Sequence, residues 1–352
     1  GPSMPDIEYQ IPPVITHSRR SSMDNLDGDY LGWQIRGWMV DQIHKEFGVT
    51  GINVKVGVGD TGVSKSHTKE GGDLENIVSA KSFIPGENEW DVNGHGSHCS
   101  SQIHAVKNDS GILGYSPDAQ GYHAKVLSNG GSGGDSGIAN GINWLASQGC
   151  KVISLSLGSP HKSSVIINAI RDADEQGIIT VMASGNDGKS NDVDYPAAAS
   201  SGLIGVAIDS KHNLASFSDR GPQISHRGVS GAGVRVYACL GKGYGLMSGT
   251  SMATPSVAGQ FTLAIDAEIK YLGKQVTKGF KSAISLVKEY PVDLGSPGND
   301  SGYGLGAFDV YSYIKKLHES SNDSPSEENE WSDVGSFEHE NNVYRIQKKD
   351  QL

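Results

Sequence analysis

Gly177-Ile178-Ile179-Thr180-Val181-Met182-Ala183-Ser184-Gly185-Asn186 reads as a buried strand that ends in a polar turn. Upstream of it, Ser164 to Gln176 is a helix, and Lys151 to Leu157 another strand, ending Ser156-Leu157-Gly158. Before that, Ser136 to Gln148 is a helix that follows the glycine-rich Gly130 to Gly134, and Gln120 to Leu127 a strand. Downstream, Leu203 to Ile208 continues the series. Regular strand–helix alternation of this kind predicts an α/β fold. The expectation is a doubly wound, mostly parallel sheet with helices on both faces.

In such sheets ligands bind beyond the carboxyl ends of the strands. Val54 to Gly59 is a short apolar strand that ends at Asp60-Thr61-Gly62. Asp60, Ser156 and Asn186 therefore all follow strands at one edge. In Asn93-Gly94-His95-Gly96-Ser97-His98-Cys99, glycines flank a histidine and let backbone approach closely, and Cys99 to Val106 suits a helix. His95 and His98 have the spacing of a metal pair, but no third ligand stands nearby. Ser248-Gly249-Thr250-Ser251 leads into an apolar, helix-compatible run from Val257 to Ile269. Ser251 is thus placed at or near a helix N-terminus, where free N–H groups favour a developing anion. A serine nucleophile needs an adjacent base, itself oriented by a third group.

The rest of the 352 residues sets the boundaries. Residues 4–30 are polar and proline-bearing, and read as an extended arm. Ile35, Met39, Ile43 and Phe47 recur at helical spacing, so Trp33 to Phe47 is expected to be one helix. Gly279 to Val287 and Tyr311 to Leu317 suit two late helices. From His318 acids outnumber bases and apolar residues are few, the composition of a disordered tail. Three units follow: a cleavage remnant (Gly1-Pro2-Ser3) plus arm over 1–32, one catalytic domain over 33–317, and an acidic tail over 318–352. The formal net charge of -11, without a basic cluster, argues against nucleic acid as a partner. No apolar run approaches a membrane span, and three cysteines are too few for a disulfide framework.

Four motifs together resemble the subtilisin-like serine proteases, or subtilases, over roughly residues 33–317. They are Asp60-Thr61-Gly62, Gly94-His95-Gly96-Ser97-His98, Ser184-Gly185-Asn186 and Gly249-Thr250-Ser251-Met252-Ala253-Thr254-Pro255. The Asp…His…Ser order and the asparagine donor are hallmarks taken over from that family. The resemblance implies a serine endopeptidase acting on peptide or protein substrates. Ser251 would attack, His95 would carry the proton, Asp60 would hold the imidazole, and Asn186 with the Ser251 N–H would stabilise the oxyanion. Gly131-Ser132-Gly133 and Ser156-Leu157-Gly158 look like the family's two substrate-pairing edges. Asp194, placed by Asn186 and Tyr195-Pro196-Ala197, would line the base of the first side-chain pocket and favour lysine or arginine there, the alternative being a carboxylate that faces water.

A family calcium loop is also resembled. It would bind Ca²⁺ through the Asn108 side chain and the carbonyls of Val106, Ser110 and Ile112, with Asp73 as the carboxylate. Departures are few: Ser97 stands for threonine, Ser184 for alanine, Ser256 for histidine, and Gly231-Ala232-Gly233 for Ala-Pro-Gly. None touches the proposed chemistry. Nothing before Trp33 is long enough to be the folding prodomain of secreted subtilases. The resemblance therefore leans to the intracellular branch and a cytoplasmic location, secretion requiring a signal and prodomain upstream of this sequence. In that branch a short arm lies across the active site, and Tyr9-Gln10-Ile11-Pro12-Pro13 is a loose match for self-inhibition. A homo-oligomer is compatible with the resemblance. The competing readings are a catalytically inactive subtilase scaffold that binds partners, and a zinc hydrolase using His95 and His98.

Overall fold

The computed structural model describes residues 6–17, 30–199 and 201–322. In chain order the arm carries β1 (Glu8–Gln10) and β2 (Ile15–His17), followed by α1 (Trp33–Gly37) and α2 (Val40–Phe47). Then come β3 (Lys55–Asp60), β4 (Ile77–Ser82), α3 (His95–His104), β5 (Gln120–Lys125), β6 (Ser132–Gly134), α4 (Asp135–Ser147) and β7 (Val152–Leu155). The middle of the chain supplies α5 (Ser164–Glu175), β8 (Ile179–Ala183), β9 (Leu203–Ile208), α6 (Pro222–Arg227) and β10 (Gly228–Ala232). The last part holds β11 (Val236–Leu240), β12 (Gly243–Ser248), α7 (Thr250–Leu272), α8 (Gly279–Glu289), β13 (Pro291–Val292), β14 (Ala307–Phe308) and α9 (Val310–Ser321).

Seven strands form one parallel sheet in the order β10-β9-β8-β7-β3-β5-β4. The expected doubly wound α/β fold is present. Successive side chains of a strand point to opposite faces, and the core follows suit. Ile179 and Val181 belong to the core cluster that includes residues of α2, α3, α7 and α9, whereas Met182 belongs to the cluster that includes residues of α4 and α5. The chain order reverses where β7 meets β3, the switch point at which such sheets open a crevice. Asp60 ends β3, Ser156 follows β7, and Asn186 lies three residues past β8, so the three reach one crevice.

The differences from the sequence reading have local causes. The helix expected over 33–47 is broken into α1 and α2, because Met39 turns to φ 55. That costs backbone strain, but Trp38 and Met39 are both taken into the core. Helix α3 begins at His95 itself rather than near Cys99, for a reason given below. Helix α7 starts at Thr250 and runs 23 residues through the middle of the molecule. Strand β4 escaped notice because its residues are half-exposed, mixed in polarity and interrupted by a bulge between Ile77 and Ser79. The glycine-rich stretch 130–134 contains β6, and α9 carries the folded part to Ser321, past the expected boundary at 318. The cleavage remnant and the acidic tail from 323 lie outside the described residues.

Candidate active site

Asp60 and His95 meet at the crevice. His95 Nδ1 lies 2.7 Å from Asp60 Oδ1, and both residues are buried. The pair is aligned by backbone. Thr61 N donates to Asp60 Oδ1 at 2.8 Å, and Gly96 N donates to Thr61 Oγ1 at 2.8 Å. Asp91, which the sequence reading passed over, sets the start of α3. Its Oδ1 accepts from Asn93 N, Gly94 N and Thr61 Oγ1, and its Oδ2 from Ser97 N and Ser97 Oγ. Capping these otherwise unsatisfied N–H groups lets the helix begin at His95. Burial opposes a charge on His95, but the charge and hydrogen bond of Asp60 outweigh it, so the imidazole sits well above its ordinary range.

Ser251 is the second residue of α7. Its Oγ and His95 Nε2 are buried and, among the described residues, neither has a hydrogen-bond partner, so both remain available for chemistry. Its carbonyl is unusual. Pro255 lies inside α7 and has no N–H to return to Ser251 O. The Ser156 hydroxyl donates to that oxygen instead at 2.8 Å, and the Cys99 thiol at 3.4 Å. Ser156 thus faces the serine rather than the substrate edge. Asn186 is oriented by Thr250, whose N and Oγ1 both donate to Oδ1, at 2.8 and 2.6 Å. A backbone N–H can only donate, so the Asn186 amide nitrogen must point the other way. It does, into the crevice, and donates to Pro13 O at 2.6 Å. Gly249 allows the approach, since a Cβ there would lie 3.0 Å from that nitrogen.

The arm runs through the crevice as an extra strand. Glu8, Tyr9 and Gln10 pair antiparallel with Gly134, Gly133 and Ser132. Ile11 N donates to Gly131 O, and Gln10 and Gly158 exchange two backbone hydrogen bonds. Beyond Pro13, Ile15 to His17 pair with Ser248 to Leu246 of β12. The structure thus brings Gly131, Ser132, Gly133 and Gly158 together around one extended segment, while Leu157 is buried in the core beside Tyr9. Asp194 is buried against Gly158 and Gly185, where added Cβ atoms would lie 2.9 and 2.8 Å from its Oδ2. It does not simply face water. It pairs with Lys189 at 2.9 Å, a partner that sequence spacing alone did not reveal. Burial pushes the Asp194 carboxyl upward against that pairing, and takes neighbouring Asp219 to about 6.

Asp73 does reach the 106–112 loop. Its Oδ1 accepts from Asn108 Nδ2 at 2.9 Å, and its Oδ2 from Ile112 N and Tyr244 Oη at 3.0 and 2.9 Å. The donor set is one of hard oxygens, and the Asn108 amide would have to present its oxygen, not its nitrogen, to an ion. His95 and His98 diverge. His98 gives its Nε2 to the carbonyls of Val236 and Gly245 at 3.0 Å each, so the two rings do not share a metal. Burial holds His98 down at about 4. All three cysteines are free and buried.

A parallel α/β sheet with a buried Asp–His pair beside a helix-borne serine at its carboxyl edge is the layout of a serine hydrolase. Comparison with known proteins narrows that class. The Subtilase family profile matches residues 51–306. Subtilisin DY from Bacillus licheniformis is 41% identical over 268 residues, covering 75% of this chain and 91% of the relative. Subtilisin Savinase from Lederbergia lenta is 40% identical over 261 residues, 74% and 90% of the two chains. An alkaline protease from Alkalihalobacillus alcalophilus is 36% identical over 299 residues, 84% and 73%. The chain belongs to the subtilase family and is a serine endopeptidase. Among the described residues no helix is long and apolar enough to cross a membrane.

Proposed function

We propose that the chain cuts peptide bonds with Ser251 as nucleophile and His95 as the base that takes and returns its proton. Asp60 holds the ring and stabilises its cation. The Asn186 amide and the Ser251 N–H, at the positive end of α7, receive the developing oxyanion. One observation carries the reading: the Asn186 amide already donates to a peptide carbonyl, that of Pro13. In subtilisin itself the loss of such an asparagine costs about 10²–10³ in kcat, which sets the scale for Asn186→Ala. Replacing Ser251 with alanine tests the assignment. Activity and fluorophosphonate labelling should both vanish while the melting curve is kept, and normal turnover by the pure variant would overturn it.

The arm is read as a self-inhibitor that mimics substrate. Its pairing with both edges supplies main-chain hydrogen bonds of the kind an extended peptide makes. Two successive prolines then interrupt the strand, because neither has an N–H to give. A substrate would displace the arm before being cut. The 106–112 loop is read as the place where Asp73, Asn108 and the carbonyls of Val106, Ser110 and Ile112 would hold Ca²⁺, tying β12 and α3 surroundings together when bound.

A further inference from the structure

A buried imidazole with no role in the chemistry above lies between the loop that carries Asp60 and the helix that carries His95. His123, on β5, pairs in register with Val58 of β3 and is completely buried. Its Nε2 lies 3.1 Å from Gly62 N. A backbone amide can only donate, so Nε2 must hold the lone pair and Nδ1 the proton. Nδ1 lies 2.8 Å from Ser100 Oγ, which accepts that proton. Gly62 is two residues past Asp60, and Ser100 is five residues past His95 on α3. One ring therefore ties the supports of both members of the Asp60–His95 pair.

Gly62 is also where the helix rests on the loop. Its φ is 110, and Gly96 comes so near that a Cβ there would lie 2.3 Å from Gly62 O. Small movements of Gly62 are thus passed directly to the first turn of α3. The groups facing His123 pull in both directions. Burial lowers its affinity for a proton most, the carboxylates of Asp60 and Asp91 raise it, and Lys125 on the same strand lowers it. His104, on α3, is a further buried imidazole close by. The result is a ring at about 4, neutral near pH 7. If it became charged, Nε2 would carry a proton and meet the Gly62 N–H donor to donor.

We propose that His123 is a positioning residue of the peptidase site, its neutral Nδ1–H form bracketing Gly62 and Ser100 and so fixing the Asp60–His95 hydrogen bond. This rests on the triad reading of the previous section. A group that only fills space would affect melting alone. A bracket should change the chemistry at temperatures where the fold is intact, because small displacements of reacting groups are costly.

The test compares full-length His123→Leu, which keeps volume but no polar atom, with His123→Gln, whose amide oxygen can still accept from Gly62 N. His123→Leu should lower kcat by between about tenfold and a hundredfold with KM nearly unchanged. The acid limb of kcat/KM should move down in pH as Asp60 loses its grip on His95, and the downfield proton resonance of His95 Nδ1–H should weaken. His123→Gln should recover most of kcat and of the acid limb. A folded His123→Leu with unchanged kcat and acid limb, or a glutamine variant no better than leucine, would overturn the proposal. Should His123→Leu fail to fold, Ser100→Ala removes half of the bracket: a smaller loss of kcat with the same direction of acid-limb shift supports it, and no shift refutes it. Ser251→Ala run alongside separates the failures. An active Ser251→Ala enzyme sinks the triad reading and the bracket with it, whereas a dead one beside an unaffected His123→Leu sinks the bracket alone.

Discussion

Acid should unfold this protein well above the range where carboxylates alone would do so. His98, His104 and His123 are buried without charge, and burial lowers them from 6.5 to about 4, about 3 and about 4. His44, whose Nε2 meets Tyr115 O at 2.8 Å, is lowered as well. A group whose folded pKa is depressed stabilises fully above its unfolded pKa. That contribution is lost as the pH falls from the unfolded value through the folded one. For one histidine moved by such an interval the loss is on the order of 3 kcal/mol. Three together reach roughly 10 kcal/mol, comparable to the whole stability of an ordinary domain. Three groups need checking for opposite sign. His95 is raised, so its contribution is fully present below 6.5 and changes little in this window. Asp219, raised to about 6, and Asp194, also raised by burial, recover stability as the pH falls and offset part of the loss.

The expected net effect is a fall of several kcal/mol between pH 6.5 and 4, with about two protons taken up on unfolding near pH 5. The measurement is urea unfolding at closely spaced pH values, made on Ser251→Ala so that self-digestion does not intervene. His98→Gln, whose amide can still donate to Val236 O and Gly245 O, should reduce the proton uptake by about one. A stability constant to within about 1 kcal/mol from pH 6.5 to 4.5 would refute the reasoning, since it requires these rings to titrate alike folded and unfolded.

Three further outcomes are expected. Deleting residues 4–20 should raise initial activity by clearing the crevice, and unchanged activity in a folded protein counts against the arm as inhibitor. If the 106–112 loop holds Ca²⁺, chelator should lower the melting temperature by mass action and Asp73→Ala should abolish that sensitivity; identical curves with and without chelator reject the site. For specificity, peptides with arginine before the cut should outrun those with phenylalanine, and Lys189→Gln should widen the gap by leaving Asp194 and Asp219 without their shared cation. Phenylalanine winning in the native enzyme, or a ratio unmoved by Asp194→Gly, removes Asp194 from substrate recognition.

Asp60, His95, Asn186 and Ser251 were named together because four motifs match a known family in order and spacing; among them, strand ends alone pointed only to Asp60 and Asn186 at one sheet edge. The parallel sheet was legible because its apolar strands and helices alternate locally along the chain. What stayed hidden depends on contacts that form only once the chain has folded. Asp91 and Thr250 stand inside or beside the motifs, yet nothing local says that one accepts five hydrogen bonds around the start of α3 or that the other turns Asn186 by reaching back 64 residues. Lys189 and His123 are invisible for the same cause, since a partner five or sixty-one residues away becomes a neighbour only after the sheet has formed.

Pro255 shows the same limit. Ser251 is expected at or near a helix N-terminus, ahead of the apolar run from Val257 to Ile269, but nothing local says what replaces the N–H that Pro255 lacks. In the fold α7 begins five residues before that proline. The missing amide would have left Ser251 O buried and unpaired, a state that costs on the order of 1–3 kcal/mol. Ser156 from beyond β7 and Cys99 from α3 donate to it instead. The cost that makes proline a helix breaker is therefore met by two other segments of the chain. The residue that interrupts the helical hydrogen bonding thus leaves the serine's carbonyl fastened to both walls of its crevice.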